Sequence, residues 1–118
     1  MESGKGTGAV HRVTLVTPGG EQTISAVSDE HLWDAALAAG ISLPALCHQG
    51  RCLTCAGQLD GPGEFDQGDS ESYFPADRDA GYLLLCTAKA RSDLRVLTHR
   101  QKEMRLHRLD LGLPAPYA

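Results

Sequence analysis

The sequence predicts a single α+β domain in which a β-hairpin and one main helix come first and shorter strands follow. Three observations carry that reading: two runs rich in β-formers joined by Pro18-Gly19-Gly20, a helix-forming stretch that stops at Gly40, and short apolar segments near Ala56–Leu59, Tyr82–Leu85 and Asp93–Thr98. At 118 residues the chain has length for one small core and little for a second.

Each element has a local cause. From Val10 to Thr17 apolar Val13 and Leu15 alternate with polar Arg12 and Thr14, and Glu21 to Val27 continues as the second arm of the hairpin. Ser28 or Asp29 is expected to cap the helix, Glu30 suits its positive end, and Leu32, Trp33, Ala35, Ala36, Leu37 and Ala39 are helix formers. Trp33 is expected to pack against the core. Ile41 to Leu46, with Pro44, leads into a cysteine loop, followed by a short strand at about Ala56–Leu59. Asp60 to Asp79 holds seven acids, Pro62, Pro75 and one base, Arg78, and reads as a long solvated connection. Tyr82 to Leu85 brings Cys86 back to the loop, and Asp93 to Thr98 alternates like a last strand. His99 to Leu111 reads as a short amphipathic helix, with Gly112 as its stop and Pro114 beyond. Met104, Leu106 and Leu109 are expected to pack that tail onto the domain, the alternative being that they present it to a partner. The organisation is thus a flexible lead-in over residues 1–9, a domain over 10–98 and a basic extension over 99–118.

Composition narrows the function. Hydrophobic residues make up 42% and charged residues 22%, and no run of eighteen apolar residues exists, which excludes a bilayer-crossing helix. Met1 to Ala9, with Gly4, Gly6 and Gly8 around Lys5, has no apolar or Arg-rich targeting character, so a cytoplasmic, reducing compartment such as a bacterial cytosol is expected. Residues 1–88 carry twelve acids and four bases, whereas residues 89–118 carry three acids and seven bases. An acidic body argues against nucleic acid and for a basic protein surface as partner, and the reversed sign of the tail suggests that it modifies partner choice.

All four cysteines, Cys47, Cys52, Cys55 and Cys86, fall in one pattern with gaps of four, two and thirty residues. Three thiols on one loop and a distant fourth is how a chain wraps a [2Fe–2S] cluster, two thiolates to each iron. Soft thiolates suit iron, and binding the metal deprotonates them at neutral pH. Gly50 gives the loop freedom to turn its N–H groups toward sulfur; the Thr54 hydroxyl and Arg51 charge are further groups that would favour a reduced cluster. The alternatives are a zinc site or redox-sensing module and a reactive dithiol. Structural zinc sites come as two short cysteine pairs, and only Cys52 and Cys55 form one here. No βαβ pattern precedes Cys52-Leu53-Thr54-Cys55 as a dithiol site would require. His48 reads as a solvated loop residue, and His11, His31, His99 and His107 show no ligand spacing.

Over about Val10 to Thr98 the chain resembles the plant-type [2Fe–2S] ferredoxins of chloroplasts and cyanobacteria. Besides the cysteines, Leu32-Trp33-Asp34-Ala35-Ala36, Ala39-Gly40-Ile41 and Leu43-Pro44 look like that family's helix and approach to the cluster. Ala80-Gly81-Tyr82-Leu83-Leu84-Leu85-Cys86 resembles its return segment, and Ser92-Asp93 with Thr98-His99 its last strand. The resemblance implies a β-grasp, ubiquitin-like roll with a mixed sheet, one main helix and a cluster-binding loop. It implies one [2Fe–2S] cluster per chain, with Cys47 and Cys52 on one iron and Cys55 and Cys86 on the other. The implied activity is not enzymatic but one-electron carriage at low potential, about −400 mV for the class, in a monomer that docks transiently with donor and acceptor enzymes. Photosynthetic transport, a ferredoxin reductase or a single oxygenase system are the partner settings this allows. Departures touch partner choice: Arg51 stands where the family has a small residue, and Ala45-Leu46 replaces an aromatic-Ser pair. Tyr73-Phe74 is followed by Pro75-Ala76 where acids are usual, and Gln101-Lys102 follows Thr98-His99. The surface that serves ferredoxin–NADP reductase is therefore altered, and the basic extension resembles that of longer ferredoxins.

Overall fold

A computed structural model describes residues 9–45 and 53–115 of the chain. The expected hairpin forms from β1 (Val10–Thr17) and β2 (Gly20–Val27), antiparallel in register from Val10 opposite Val27 to Thr17 opposite Gly20. Its alternation does what period two requires: Val13 and Leu15 are fully buried, while the Thr14 and Thr23 hydroxyls hydrogen-bond at 3.1 Å on the outer face.

Helix α1 (Leu32–Ala38) crosses the sheet and buries Leu32, Ala35 and Ala36. Its cap differs from expectation. Neither Ser28 nor Asp29 caps it: the Ser28 hydroxyl donates to the Ala9 carbonyl at 3.2 Å, and His31 occupies the N-cap without a side-chain bond to the helix's own N–H groups. The first helical N–H groups instead find backbone acceptors, Leu32 N–H donating to Ala88 O and Trp33 N–H to Leu85 O, both at 2.9 Å. Capping is thereby performed by the turn that carries Cys86. Trp33 is partly buried as expected, its indole N–H donating to Leu43 O at 2.8 Å. Gly40, at φ 84°, ends the helix in the left-handed conformation that glycine adopts without penalty.

Strands β3 (Ala56–Leu59), β5 (Tyr82–Leu84) and β7 (Leu94–Leu97) complete a five-stranded mixed sheet in the order β2-β1-β7-β3-β5, with β4 (Phe65–Asp66) and β6 (Lys89–Ala90) pairing separately. The β1/β7 pair is parallel and the other pairs are antiparallel. A hairpin, a helix packed on the sheet and a parallel central pair constitute the β-grasp, an α+β fold. Gly57 is required where β3 meets the core, because a Cβ there would lie 2.8 Å from Val96 Cγ1 and 3.3 Å from Leu85 Cδ1.

The segment read as a long solvated connection is more ordered than that. It contains β4, a short helix α2 (Pro75–Asp79), and three buried residues, Phe65, Gln67 and Asp77. Its final helix-bearing partner is α3 (Gln101–Asp110), within the predicted span and followed by Gly112 at φ 70°. Of the three apolar tail residues, only Met104 packs inward; Leu106 and Leu109 are 54% and 55% exposed. At 100° per residue Met104 and Arg108 share the inner face, and Leu106 and Leu109 project from the opposite one. Among the described residues no helix is long and apolar enough to cross a membrane.

Candidate metal centre

Cys55 and Cys86 reach one place from two neighbouring strands. Cys55 ends a tight turn in which Ala56 N–H donates to Leu53 O at 3.1 Å, and β3 begins immediately after it. Leu53 is fully buried with φ 65°, a left-handed conformation that costs an L-residue on the order of 1–2 kcal/mol and is held here by the packing of its side chain. Cys86 follows β5 in a turn whose Thr87 and Ala88 N–H groups both donate to Leu84 O, at 3.1 and 2.9 Å. Pairing of Ala56 with Leu84, extended by Leu85 N–H to Cys55 O at 3.1 Å, sets the two turns side by side.

The two sulfur atoms are 2.9 Å apart and both cysteines are buried. That separation exceeds the ~2.05 Å of a disulfide bond. Two converged cysteine sulfurs offer the soft donor set that iron–sulfur chemistry uses, so the described half of the site fits a cluster. Cys47, Cys52, His48, Gly50 and Arg51 lie outside the described residues.

A polar network unforeseen in the sequence braces this region. The Gln67 side chain, 5% exposed, accepts from Leu84 N–H at 2.5 Å and donates to Ser70 Oγ at 2.8 Å and Thr87 Oγ1 at 3.2 Å. No periodic signal could have singled it out, since it stands between acids in a segment of solvated composition.

The acids of that segment do not form one open field. Asp69 accepts from His31 Nε2 at 2.8 Å and pairs with Lys89 Nζ at 3.0 Å, and the hydrogen bond from His31, followed by that from Lys89, holds its carboxyl below the usual range. Asp66 pairs with Arg91 at 2.9 Å, and Asp60 with Arg95 at 2.9 Å. Arg95 also holds Glu21, whose pKa is lowered chiefly by that hydrogen bond. Glu64 and Asp79 stay exposed.

Asp77 is fully buried, and so is its partner Arg108 on α3. Arg108 donates through Nη2 to Asp77 Oδ2 at 2.8 Å and through Nε to Asp77 Oδ1 at 3.3 Å. Its remaining donors reach Ser72 O at 2.9 Å and Pro114 O at 3.1 Å. Asp77 also accepts from Phe74 N–H at 3.0 Å and lies 3.4 Å from His107 Nε2. The guanidinium sits 4.8 Å from the Phe74 ring centre. Tyr73, the aromatic residue beside Phe74, donates to Tyr82 O at 2.5 Å, and burial raises its pKa. Both aromatic rings are thus engaged within the molecule and only half-exposed. The extension begins beside the cysteines, where Arg100 N–H donates to Ala56 O at 3.0 Å.

Comparison with known proteins agrees with this geometry. The 2Fe-2S iron-sulfur cluster binding domain family matches residues 16–91. Ferredoxin-2 of Synechococcus sp. is 42% identical over 106 residues, 90% of this chain and 98% of its own length. The chloroplastic ferredoxin-6 of Zea mays is 35% identical over 96 residues, 80% of this chain; the match spans 61% of the maize protein. Among solved structures, pectocin M2 superposes with a TM-score of 0.68 at 27% identity, over 87% of this chain and 40% of that one. With two cysteines converged beside a β-grasp sheet and relatives matched along most of its length, the chain belongs to the 2Fe-2S cluster-binding family as a plant-type ferredoxin.

Proposed function

We propose that Cys47, Cys52, Cys55 and Cys86 are the four ligands of the single [2Fe–2S] cluster, with Cys55 and Cys86 sharing one iron. The observation that carries this is the approach of the Cys55 and Cys86 sulfurs to 2.9 Å within the core. The cluster supplies a site that takes up and releases one electron. The chain's own part is to present thiolates, to exclude water with the buried side chains Leu53, Leu85 and Ala88, and to hold both turns through backbone hydrogen bonds. The protein is an electron carrier and not an enzyme. Replacing each cysteine in turn by alanine tests the ligand set: each variant should lose bound iron and sulfide, and a variant that retained two irons and two sulfides would remove that cysteine from it.

The chain works by docking with redox partners. On our reading it does so as a monomer in the cytosol at low potential, with the acidic domain over 10–98 meeting a basic partner surface. The extension over 99–118 supplies a second surface of opposite sign. On the outer face of α3, Lys102 and Arg105 flank the exposed Leu106 and Leu109, a combination complementary to an acidic protein surface with an apolar centre. Because α3 starts beside Ala56, a partner seated there is brought close to the cluster turn.

A further inference from the structure

We propose that Gln67 is a positioning residue for Cys86, fixing the turn that presents this thiolate and thereby setting the cluster's electronic environment and retention. The inference rests on Cys86 being a ligand, as argued above.

The Cys86 turn is held from three directions. From the turn before β3, Cys55 O accepts Leu85 N–H; from α1, the Leu32 and Trp33 N–H groups donate to Ala88 O and Leu85 O. These bonds are backbone to backbone and belong to the fold itself. The third direction is the Gln67 side chain, which meets the turn on both sides of the cysteine. Two residues before Cys86, Leu84 N–H donates to Gln67 Oε1 at 2.5 Å, and Gln67 Nε2 lies 3.4 Å from Leu84 O. One residue after Cys86, the Thr87 hydroxyl accepts from Gln67 Nε2 at 3.2 Å and bonds Ser70 Oγ at 2.6 Å. The requirement of Leu84 N–H for an acceptor fixes which way the amide faces, so its NH2 group must point at Ser70 and Thr87. A primary amide is the group that supplies both halves: leucine supplies neither, and glutamate supplies only acceptors.

A buried amide could serve stability alone, since leaving Leu84 N–H or the Thr87 hydroxyl unpaired carries a desolvation cost. The two roles separate because positioning reports through the cluster. The order β2-β1-β7-β3-β5 provides the control: Ile24, buried in β2, lies on the sheet edge opposite the β5 turn. Ile24→Ala is expected to destabilise the fold from that far edge while removing none of the hydrogen bonds that brace the turn.

The test uses the full-length, cluster-loaded protein carrying Gln67→Leu, Gln67→Glu or Ile24→Ala, with Thr87→Val as a milder variant should the first two fail to fold. Cluster loss to EDTA is followed anaerobically by visible absorbance, together with the EPR g-values of the reduced protein. The reduced-to-oxidised ratio is read at a fixed ambient potential equal to the unsubstituted protein's midpoint. Gln67→Leu is expected to lose its cluster at least tenfold faster, to shift the g-values and to change the ratio at least threefold, about 28 mV at 59 mV per tenfold for one electron. Gln67→Glu, which keeps the acceptor, should fall between it and the unsubstituted protein. Ile24→Ala should lower the melting temperature and leave g-values and ratio in place. The positioning role is overturned if the Gln67 variants lower only the melting temperature, or if Ile24→Ala moves the cluster readouts equally. Cys86→Ala separates the two layers: two irons retained in it overturn the ligand assignment, whereas a cluster-deficient Cys86→Ala beside silent Gln67 variants overturns the positioning role alone.

Discussion

Replacing Arg108 by methionine removes one member of a buried ion pair and leaves the other in place. Both Arg108 and Asp77 are fully buried, so the Asp77 carboxylate would lose two donors and keep only Phe74 N–H and the neighbouring His107. Removal of one partner from such a pair costs about 3–5 kcal/mol. With an unfolding entropy near 2.1 cal/mol/K per residue, 118 residues give about 250 cal/mol/K, so the melting temperature should fall by roughly 12–20 °C. Because loss of the cluster makes unfolding irreversible, both proteins must be scanned at one heating rate, with far-UV circular dichroism and visible absorbance followed together. The double variant Asp77→Leu with Arg108→Met exchanges the pair for apolar groups and should recover part of the loss. Recovery stays incomplete because Ser72 O, Pro114 O and Phe74 N–H lose partners in it. A decrease under about 3 °C for Arg108→Met, or a double variant no more stable than the single one, would refute the claim that this pair latches the extension to the segment before Cys86.

Other consequences are open to measurement. Gly57→Ala forces a methyl group against Val96 and Leu85 and should destabilise by about 1–3 kcal/mol, read as a lower melting temperature; an unchanged value would show that β3 can relax. Asp69 and Glu21 have folded pKa values below those of unfolded carboxylates, so their contribution is present above about pH 4 and is lost as pH falls through the folded values. Stability should therefore decline on the acid side, and Asp69→Asn should flatten that decline; an acid limb unaltered by it would contradict the assignment. Lys102→Glu with Arg105→Glu should slow electron delivery to an acidic acceptor such as cytochrome b5 about tenfold at low salt, with the difference shrinking as salt is added. Leu106→Ser with Leu109→Ser preserves the charge and should slow delivery to the same acceptor; equal rates for all three proteins would remove α3 as a docking surface.

What the sequence makes legible follows from how local the cause is. The hairpin, α1, β3 and α3 are written in periodicity and turn chemistry, so their boundaries emerge within a few residues. The cysteine spacing likewise anticipates that Cys55 and Cys86 meet, although they are separated by thirty residues, because only a metal or a disulfide gathers thiols in that pattern. Gln67 and Asp77 are illegible for the converse reason. Each is a polar residue in an acidic stretch, and its burial depends on a distant partner, Thr87 and Leu84 for one and Arg108 for the other, that leaves no local mark. The helix cap was hidden in the same way, since α1 uses the carbonyls of Leu85 and Ala88 where Ser28 offered a plausible local alternative. Distinguishing Met104 from Leu106 and Leu109 required the rotational phase of α3, which the burial of Arg108 sets.

The most direct test of the central claim is an anaerobic EPR spectrum of the dithionite-reduced protein, quantified beside its iron and acid-labile sulfide. Two irons, two sulfides and one unpaired spin per chain, in a red-brown protein that cycles reversibly at low potential, are the predicted result. A colourless protein holding one zinc and giving no signal would contradict it.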